Sequence, residues 1–126
     1  LQVGLPPAHL RPRGRQADLE IVFRNLVDNA VKYSMPAPEV EIAAETRGRE
    51  VVVRVTDNGP GIAPADRGTV FGRFVRLGSE LERSTPGTGL GLHLVRSIVR
   101  QLRGRVSVHG RSSGSGTVME VRLPAA

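Results

Sequence analysis

Residues 25–33 read NLVDNAVKY, and they form the densest motif of the chain. They lie in a longer segment in which apolar side chains recur at helical spacing: Leu19, Val22, Phe23, Leu26, Ala30 and Tyr33. Three polar residues, Asn25, Asn29 and Lys32, stand at i, i+4 and i+7 and therefore share one stripe of the same helix. The segment predicts an amphipathic helix that begins near Ala17.

The polar stripe has a chemical interpretation and a structural alternative. Asparagine is a mediocre helix former, so two of them in mid-helix cost stability that alanine would not. Their amide oxygens could ligate Mg²⁺, which needs few protein ligands when phosphates supply the rest. A lysine one turn further on offers a point charge to a phosphate. The alternative is a solvated polar stripe without function.

Residues 57–62 read DNGPGI and follow a strand pattern in which alternate positions are apolar: Val51, Val53 and Val55. Asp57 has the same parity, which predicts a carboxylate on the buried face, where it needs a hydrogen-bond donor. The exocyclic amine of adenine is one such donor, and Gly59 and Gly61 would let the backbone approach a ligand. The alternative is a strand that ends at Thr56, followed by an ordinary turn.

Residues 86–92 read PGTGLGL and run directly into a second predicted helix, whose apolar positions are Leu94, Val95, Ile98, Val99 and Leu102. Alternating glycines before a helix amino terminus expose N–H groups to an anion. The spacing differs from the dinucleotide fingerprint, and no Gly-Lys-Ser or Gly-Lys-Thr occurs in the chain. Residues 77–86, immediately upstream, are polar and without pattern, which predicts a mobile loop.

The remaining patterns complete an α/β fold. They predict an edge strand within Leu1–Leu5, a hairpin that joins the strands containing Val40 and Val55, a short helix from Pro64 to Phe71, and a closing hairpin from Val106 to Leu123. The order suggests a two-layer α/β sandwich, with a mixed sheet of about five strands and three helices on one face. The length of 126 residues predicts one domain, residues 1–126.

Composition narrows the function classes. The chain has no cysteine, which excludes disulfides and thiolate metal sites, and no run approaches 18 apolar residues. The net charge of +6 raises the possibility of nucleic-acid binding. However, the basic residues are scattered and no aromatic residue interleaves with their densest cluster, residues 11–15. A solvated arginine-rich surface is the better interpretation.

Five motifs in this order resemble the ATP-binding domain of bacterial sensor histidine kinases, in the GHKL superfamily, with gyrase, Hsp90 and MutL as distant relatives. The resemblance runs from about Arg13 to Pro124. The motifs look like the N box (25–33), the G1 box (57–62), the F box (71–76, FGRFVR), the G2 box (87–92) and the last glycine motif (114–117, GSGT). The F box and the Lys-Tyr ending of the N box favour histidine kinases. The resemblance implies the Bergerat ATP-binding fold.

The resemblance also implies roles for individual residues. Asn29 would hold Mg²⁺, Asn25 would support it or the phosphates, and Arg76 and Arg73 would assist transfer of the γ-phosphate. The implied nucleotide-binding residues are Asn29, Lys32, Tyr33, Asp57, Gly59, Gly61, Ile62, Gly87, Thr88, Gly89, Leu90, Gly91, Leu92 and Thr117. Residues 77–86 would form the ATP lid. One departure is Leu102-Arg103-Gly104, where the family usually has His-Gly-Gly.

The implied activity is transfer of the γ-phosphate of Mg-ATP to a histidine on the dimerisation domain of the same kinase, upstream of a response regulator. The implied cofactors are ATP and Mg²⁺, and no nucleic-acid partner is expected. The domain is expected to be a monomer and its parent kinase a homodimer. The expected location is cytoplasmic, and the parent could be anchored in the inner membrane. No credible phosphoacceptor is present, because His9 lacks the acid that follows the histidine of that motif.

Two other functions remain as alternatives. A degenerate module would keep the fold and only sense nucleotide, although every expected ligand is present here. An ATP-hydrolysing relative would carry a glutamate four residues before the magnesium-binding asparagine; that position is Asn25, an amide that cannot act as a general base. A nucleophile elbow at residues 110–114 is rejected because it joins two strands, and His93 and His109 are too isolated to predict a metal site.

Overall fold

The computed structural model describes residues 2–3, 14–71, 91–112 and 114–125. The elements follow the predicted order. They are β1 (Gln2–Val3), α1 (Gln16–Ser34), β2 (Val40–Arg47), β3 (Glu50–Asp57), a 3₁₀ turn (Pro64–Asp66), α2 (Gly91–Gln101), β4 (Arg105–Gly110) and β5 (Thr117–Pro124). In these described ranges, neither α-helix combines the length and apolar character needed to cross a membrane.

The five strands form one mixed sheet in the order β1-β2-β3-β5-β4. β1 pairs parallel to β2, and the other neighbours are antiparallel. The registers place Val40, Asp57, Thr117 and Gly110 in one row across β2, β3, β5 and β4. Because directly opposed residues point to the same face of a sheet, this row presents its side chains together.

Both α-helices pack on one face of the sheet, and this confirms the predicted two-layer α/β sandwich. α1 contributes an i, i+4, i+8 row of buried residues, which are Val22, Leu26 and Ala30. α2 contributes Val95, Ile98 and Val99. The sheet contributes alternate positions such as Val55 and Val121. The core is thus mainly aliphatic, as expected for a chain with three Phe and one Tyr.

The predicted third helix, Pro64 to Phe71, is wrong in extent. Pro64–Asp66 forms a single 3₁₀ turn, and ordinary turns follow up to Phe71. Proline suits the first position of a helix, but Gly68 and Thr69 are poor helix formers and do not propagate the turn. Val70 and Phe71 are nevertheless buried in the core, so the segment is held by its apolar end.

A charged network holds the opposite face of the sheet. Glu120 is 7% exposed and accepts hydrogen bonds from Arg54 Nε at 2.9 Å and Arg122 Nε at 2.8 Å. Burial opposes ionisation of Glu120, but the hydrogen bonds and charges of Arg122 and Arg54 outweigh it and hold the pKa of this carboxyl below its ordinary value. The buried carboxylate is therefore paired with two arginines, Arg54 on β3 and Arg122 on β5.

Helix α2 ends in a left-handed residue. Arg103 has φ = 63°, and two hydrogen bonds close the end of the helix, from Arg103 N–H to the Arg100 carbonyl at 3.0 Å and from Gly104 N–H to the Val99 carbonyl at 2.8 Å. This is the Schellman arrangement, whose left-handed position is usually occupied by glycine. The departure from His-Gly-Gly in the sequence therefore places an arginine where the backbone favours glycine.

Candidate functional site

Asp57 is the last residue of β3, and its carboxylate is buried at the end of the helix-covered face. The residue is 7% exposed. One of its oxygens, Oδ1, accepts hydrogen bonds from the N–H groups of Gly59 at 2.9 Å and Thr117 at 3.3 Å. The other oxygen, Oδ2, accepts no hydrogen bond from any residue in the described ranges. The parity prediction is confirmed, and the alternative of a strand that ends at Thr56 is wrong.

The electrostatics of Asp57 are set by its burial. Burial raises the pKa of this carboxyl, and the N–H groups of Gly59 and Thr117 and the positive charge of Arg111 only partly oppose the rise. The carboxylate therefore gains from a further hydrogen-bond donor, since donation to the charged form compensates for lost hydration. A ligand amine would supply that donor.

Close backbone contacts surround Asp57. A Cβ on Gly59 would lie 2.8 Å from the Tyr33 carbonyl oxygen, at the carboxyl end of α1. A Cβ on Gly116, which has φ = 148°, would overlap the backbone carbonyl oxygen of Asp57, and one on Gly61 would lie 3.2 Å from the Gly116 carbonyl oxygen. Only glycine fits at Gly116, because both the space and the backbone conformation exclude a side chain.

Two polar side chains that the sequence did not single out as site residues brace this loop. Ser115 Oγ donates to the Gly59 carbonyl at 2.5 Å. Asn58 links the loop to the segment after α1, because its Oδ1 accepts from Glu39 N–H at 2.9 Å and its Nδ2 donates to the Ala37 carbonyl at 3.1 Å. Neither residue carried a periodic signal, since both roles depend on segments that meet only in the folded chain.

The polar stripe of α1 is half-buried, and its first residue, Asn25, lies against the start of α2. Asn25 Nδ2 donates to the Ile21 carbonyl one turn back at 2.8 Å. Its Oδ1 lies 3.0 Å from the position that a Cβ on Gly91 would take. Asn29 and Lys32 continue the stripe, and the Lys32 ammonium lies 5.4 Å from the centroid of the Tyr33 ring. The structure thus brings the first motif against the end of the fourth.

The start of α2 adds a second feature to this region. Gly91 and Leu92 begin the helix, and Leu92 packs against the core. N–H groups at a helix amino terminus carry partial positive charge and suit an anion. The other predicted phosphate-loop residues (Gly87, Thr88, Gly89 and Leu90), the F-box arginines (Arg73 and Arg76) and the predicted lid (residues 77–86) lie outside the described residues.

The described site residues form two groups that meet at Tyr33. One group comprises Asp57, Gly59, Gly61, Ile62 and Thr117. The other comprises Asn25, Asn29, Lys32 and Gly91. The first combines a buried acceptor with glycine backbone that carries no side chain, which suits a flat heteroaromatic amine. The second combines amide oxygens with a helix amino terminus, which suits a metal ion and phosphates.

This fold and this pair of groups are those expected of a nucleotide-binding ATPase domain, and the comparison with known families shows which family it is. Residues 14–126 match the family described as "Histidine kinase-, DNA gyrase B-, and HSP90-like ATPase". The chain belongs to this family, which confirms the resemblance stated from its motifs.

Within the family, the chain is similar to sensor histidine kinases. It is 39% identical over 119 residues to the sensor-like histidine kinase SenX3 of Mycobacterium tuberculosis H37Rv, which covers 94% of this chain and 29% of SenX3. It is 36% identical over 124 residues to the sensor histidine kinase CpxA of Escherichia coli K12, which covers 98% of this chain and 26% of CpxA. The chain thus spans less than a third of the length of these relatives.

Solved structures give the same result. The mycobacterial sensor histidine kinase MprB superposes with a TM-score of 0.79 at 34% identity, over 89% of this chain and 75% of the solved MprB chain. Full-length ShkA in complex with AMPPNP superposes with a TM-score of 0.73 at 34% identity, over 86% of this chain and 22% of ShkA. The fold and the sequence together assign the chain to the catalytic ATPase domains of the histidine kinase class.

Proposed function

We propose that this domain binds Mg-ATP and presents its γ-phosphate to a histidine on the dimerisation domain of a sensor histidine kinase. The observation that carries the proposal is the buried carboxylate of Asp57, which is tied down through Oδ1 while Oδ2 accepts nothing from the described residues. A similar protein, ShkA, was solved with the ATP analogue AMPPNP, which supports the same class of ligand here.

The adenine would lie beside Asp57. Its exocyclic amine would donate to the carboxylate, which gains a donor that burial has made valuable. Gly59 and Gly61 would form backbone walls, Thr117 would hold the carboxylate through its N–H group, and Ile62, which packs against the core, would contribute an apolar surface. The site thus offers adenine one polar contact and otherwise apolar or backbone surface.

The phosphates would lie between α1 and the start of α2. Asn29, with Asn25 beside it, would hold Mg²⁺, because amide oxygens suit this hard cation. When bound, Mg²⁺ neutralises charge that develops on the phosphates. Lys32 and Tyr33 would bind phosphate and nearby nucleotide groups, and Gly91 would present the amino terminus of α2. The family resemblance assigns further phosphate contacts to residues 87–90 and Leu92, and assistance of transfer to Arg73 and Arg76.

The domain would transfer phosphate without efficient hydrolysis. Phosphoryl transfer depends mainly on positioning and charge stabilisation, but hydrolysis also requires an activated water. Asn25 occupies the position where a hydrolytic relative would carry a glutamate, and its Nδ2 donates to the Ile21 carbonyl. An amide cannot act as a base, so ATP would persist until a histidine arrives in line.

The same proposal includes the surroundings of the domain. Residues 1–126 would be the catalytic unit of a longer homodimeric kinase and would themselves be monomeric. The partners would be the histidine-bearing dimerisation domain and a response regulator, and the location would be cytoplasmic. The chain is similar to SenX3 and CpxA over less than a third of their lengths, which supports a parent with further domains.

Calorimetric titration of the 126-residue chain with ATP, with and without Mg²⁺, tests the binding step. We expect binding that Mg²⁺ strengthens, together with very slow release of phosphate. Labelled ATP should not phosphorylate the chain alone, but should label an added histidine-bearing helical hairpin, weakly, because the effective concentration of a tether is missing. Robust labelling of His9, His93 or His109, or brisk hydrolysis, would contradict the proposal.

A further inference from the structure

Arg67 lies just after the 3₁₀ turn and is half-buried in the structure. Its Nε donates to the Ile62 carbonyl at 3.0 Å. Ile62 is the last residue of the DNGPGI segment and packs against the core, so the guanidinium reaches back to the end of the loop that Asp57 begins. No described acidic residue forms an ion pair with Arg67. Among the described residues, the contacts of this side chain are therefore with backbone and not with a charged partner.

The other end of the guanidinium reaches β4. A Cβ on Gly110 would lie 3.1 Å from Arg67 Nη2, tighter than an ordinary contact. Gly110 is the last residue of β4 and ends the row Val40, Asp57, Thr117 and Gly110 that crosses the sheet. The missing side chain at Gly110 thus leaves room for Arg67 at the margin of the row that holds the buried carboxylate.

We infer that Arg67 is a positioning residue for the adenine subsite, which holds Ile62 and its loop against the end of β4. This inference rests on the proposed function, since it concerns the geometry of the same site. The guanidinium donates to the Ile62 carbonyl and lies beside Gly110, which is 48 positions further along the chain. The guanidinium group of Arg67 is planar and rigid. It therefore restricts the distance between these two segments more than the flexible ammonium group of a lysine would.

The position of Arg67 predicts that it affects the base and not the phosphates. Its contacts lie on the carboxyl-terminal side of the DNGPGI segment and on β4, while the amide stripe of Asn25 and Asn29 lies on α1. Loss of the Arg67 contact should therefore let Ile62 and its carbonyl shift. Recognition of adenine should weaken, and recognition of the triphosphate should not change.

The test compares two ligands, Mg-ATP and Mg-tripolyphosphate, on the 126-residue chain and its variants by calorimetry. We expect Arg67→Ala to weaken Mg-ATP about three- to ten-fold, as for loss of one hydrogen bond, and to leave tripolyphosphate unchanged. Arg67→Lys should show most of the same loss, because it keeps the charge and lacks the fork. Arg24→Ala, an exposed arginine on α1, is the matched control and should change neither affinity.

Gly110→Ala approaches the same contact from the other side. The added methyl should displace the guanidinium and weaken Mg-ATP with the same selectivity, and its effect should largely disappear in the Arg67→Ala background. Thermal unfolding of each variant checks that the fold persists. Unchanged Mg-ATP affinity in folded Arg67→Ala, additive losses in the double variant, or equal losses for both ligands would overturn the inference. Failure of the unmodified chain to bind ATP would instead overturn the proposed function.

Discussion

The two ends of the candidate site are built from different structural elements. The proposed base end, residues 57–62 and 115–117, consists of strand ends and glycine-rich loops whose N–H groups donate to the Asp57 carboxylate. A Cβ added at Gly59 or Gly116 would lie too close to neighbouring backbone. The phosphate end, defined by Asn25, Asn29, Lys32 and Gly91, consists of half-buried side chains on α1 and the first residue of α2. The proposed base end would depend on shape, and the proposed phosphate end would depend on polar side chains that keep rotamer freedom.

This difference explains how the proposed site would be specific for its base and still serve a reacting phosphate. Backbone that cannot accommodate one extra methyl group is rigid, so adenine would be read by a surface that changes little on binding. Side chains on a helix face retain rotamer freedom, which lets them follow a phosphate and its metal ion during transfer. Substitutions at the two ends should therefore have different effects on stability and on ligand binding.

The largest effect is expected at Gly116. Gly116→Ala would place a methyl group against the backbone carbonyl oxygen of Asp57, 2.9 Å from Arg111 Cδ, at φ = 148°. Overpacking and backbone strain should together lower the free energy of unfolding by roughly 3 kcal/mol or more. Thermal unfolding measures the loss. Gly68→Ala is the matched control, because nothing lies within 4 Å of the position that a Cβ would take there. The stability of this variant should hardly change.

Asp57→Asn should separate binding from folding. The asparagine oxygen can still accept from Gly59 and Thr117, so the fold should persist, but the amide nitrogen would then oppose the adenine amine as donor against donor. We expect Mg-ATP binding to weaken by about 1–3 kcal/mol. Calorimetry measures this, with the exposed Asp66→Asn as control. Undiminished affinity would mean that Asp57 does not contact the base.

Asn29→Ala should act at the phosphate end alone. If Asn29 ligates the metal ion, the variant should lose the part of the affinity that Mg²⁺ adds, by about ten-fold, while metal-free ATP binds as before. The exposed neighbour Asp28→Ala serves as the control. A loss that is equal with and without Mg²⁺ would place Asn29 in the shared architecture of the site and not at the metal.

The raised pKa of Asp57 predicts a pH dependence at the base end. Because the folded pKa is higher than that of an ordinary aspartate, protonation removes the acceptor at a higher pH than usual. Affinity for Mg-ATP should fall as the pH falls through that value, and the loss should be smaller in Asp57→Asn. The same shift has a stability consequence: ionisation of Asp57 costs folding energy as the pH rises from its unfolded pKa to its folded pKa.

The smallest effect is expected far from both ends. Arg103→Gly would replace the left-handed residue after α2 by the residue that this conformation favours, and should raise the free energy of unfolding by about 1 kcal/mol. Mg-ATP affinity should not change. Denaturant unfolding measures the gain, and Arg105→Gly, in the exposed first position of β4, should instead destabilise slightly.

Periodicity was sufficient to predict most of the architecture. The 3.6-residue spacing from Leu19 to Ala30 and the alternation from Val51 to Val55 lie on the helix and strand that they predict, because burial of one face is a local property of the pattern. The parity argument extended to Asp57 for the same reason. It did not give the extent of the segment after Pro64, where Gly68 and Thr69 end the helical turn although apolar residues follow.

Local patterns in the sequence were enough to predict most of the element types, the helix-covered positions such as Val55 and Asp57, and the chemistry available at five motifs, since each depends on residues close together in the chain. Only the tertiary structure decided which of these meet. Gly59 lies against the Tyr33 carbonyl, Asn25 lies against Gly91, and Arg67 spans the gap from Ile62 to Gly110. Such contacts follow from strand register and helix packing, which the whole core determines together, so no local pattern could indicate them.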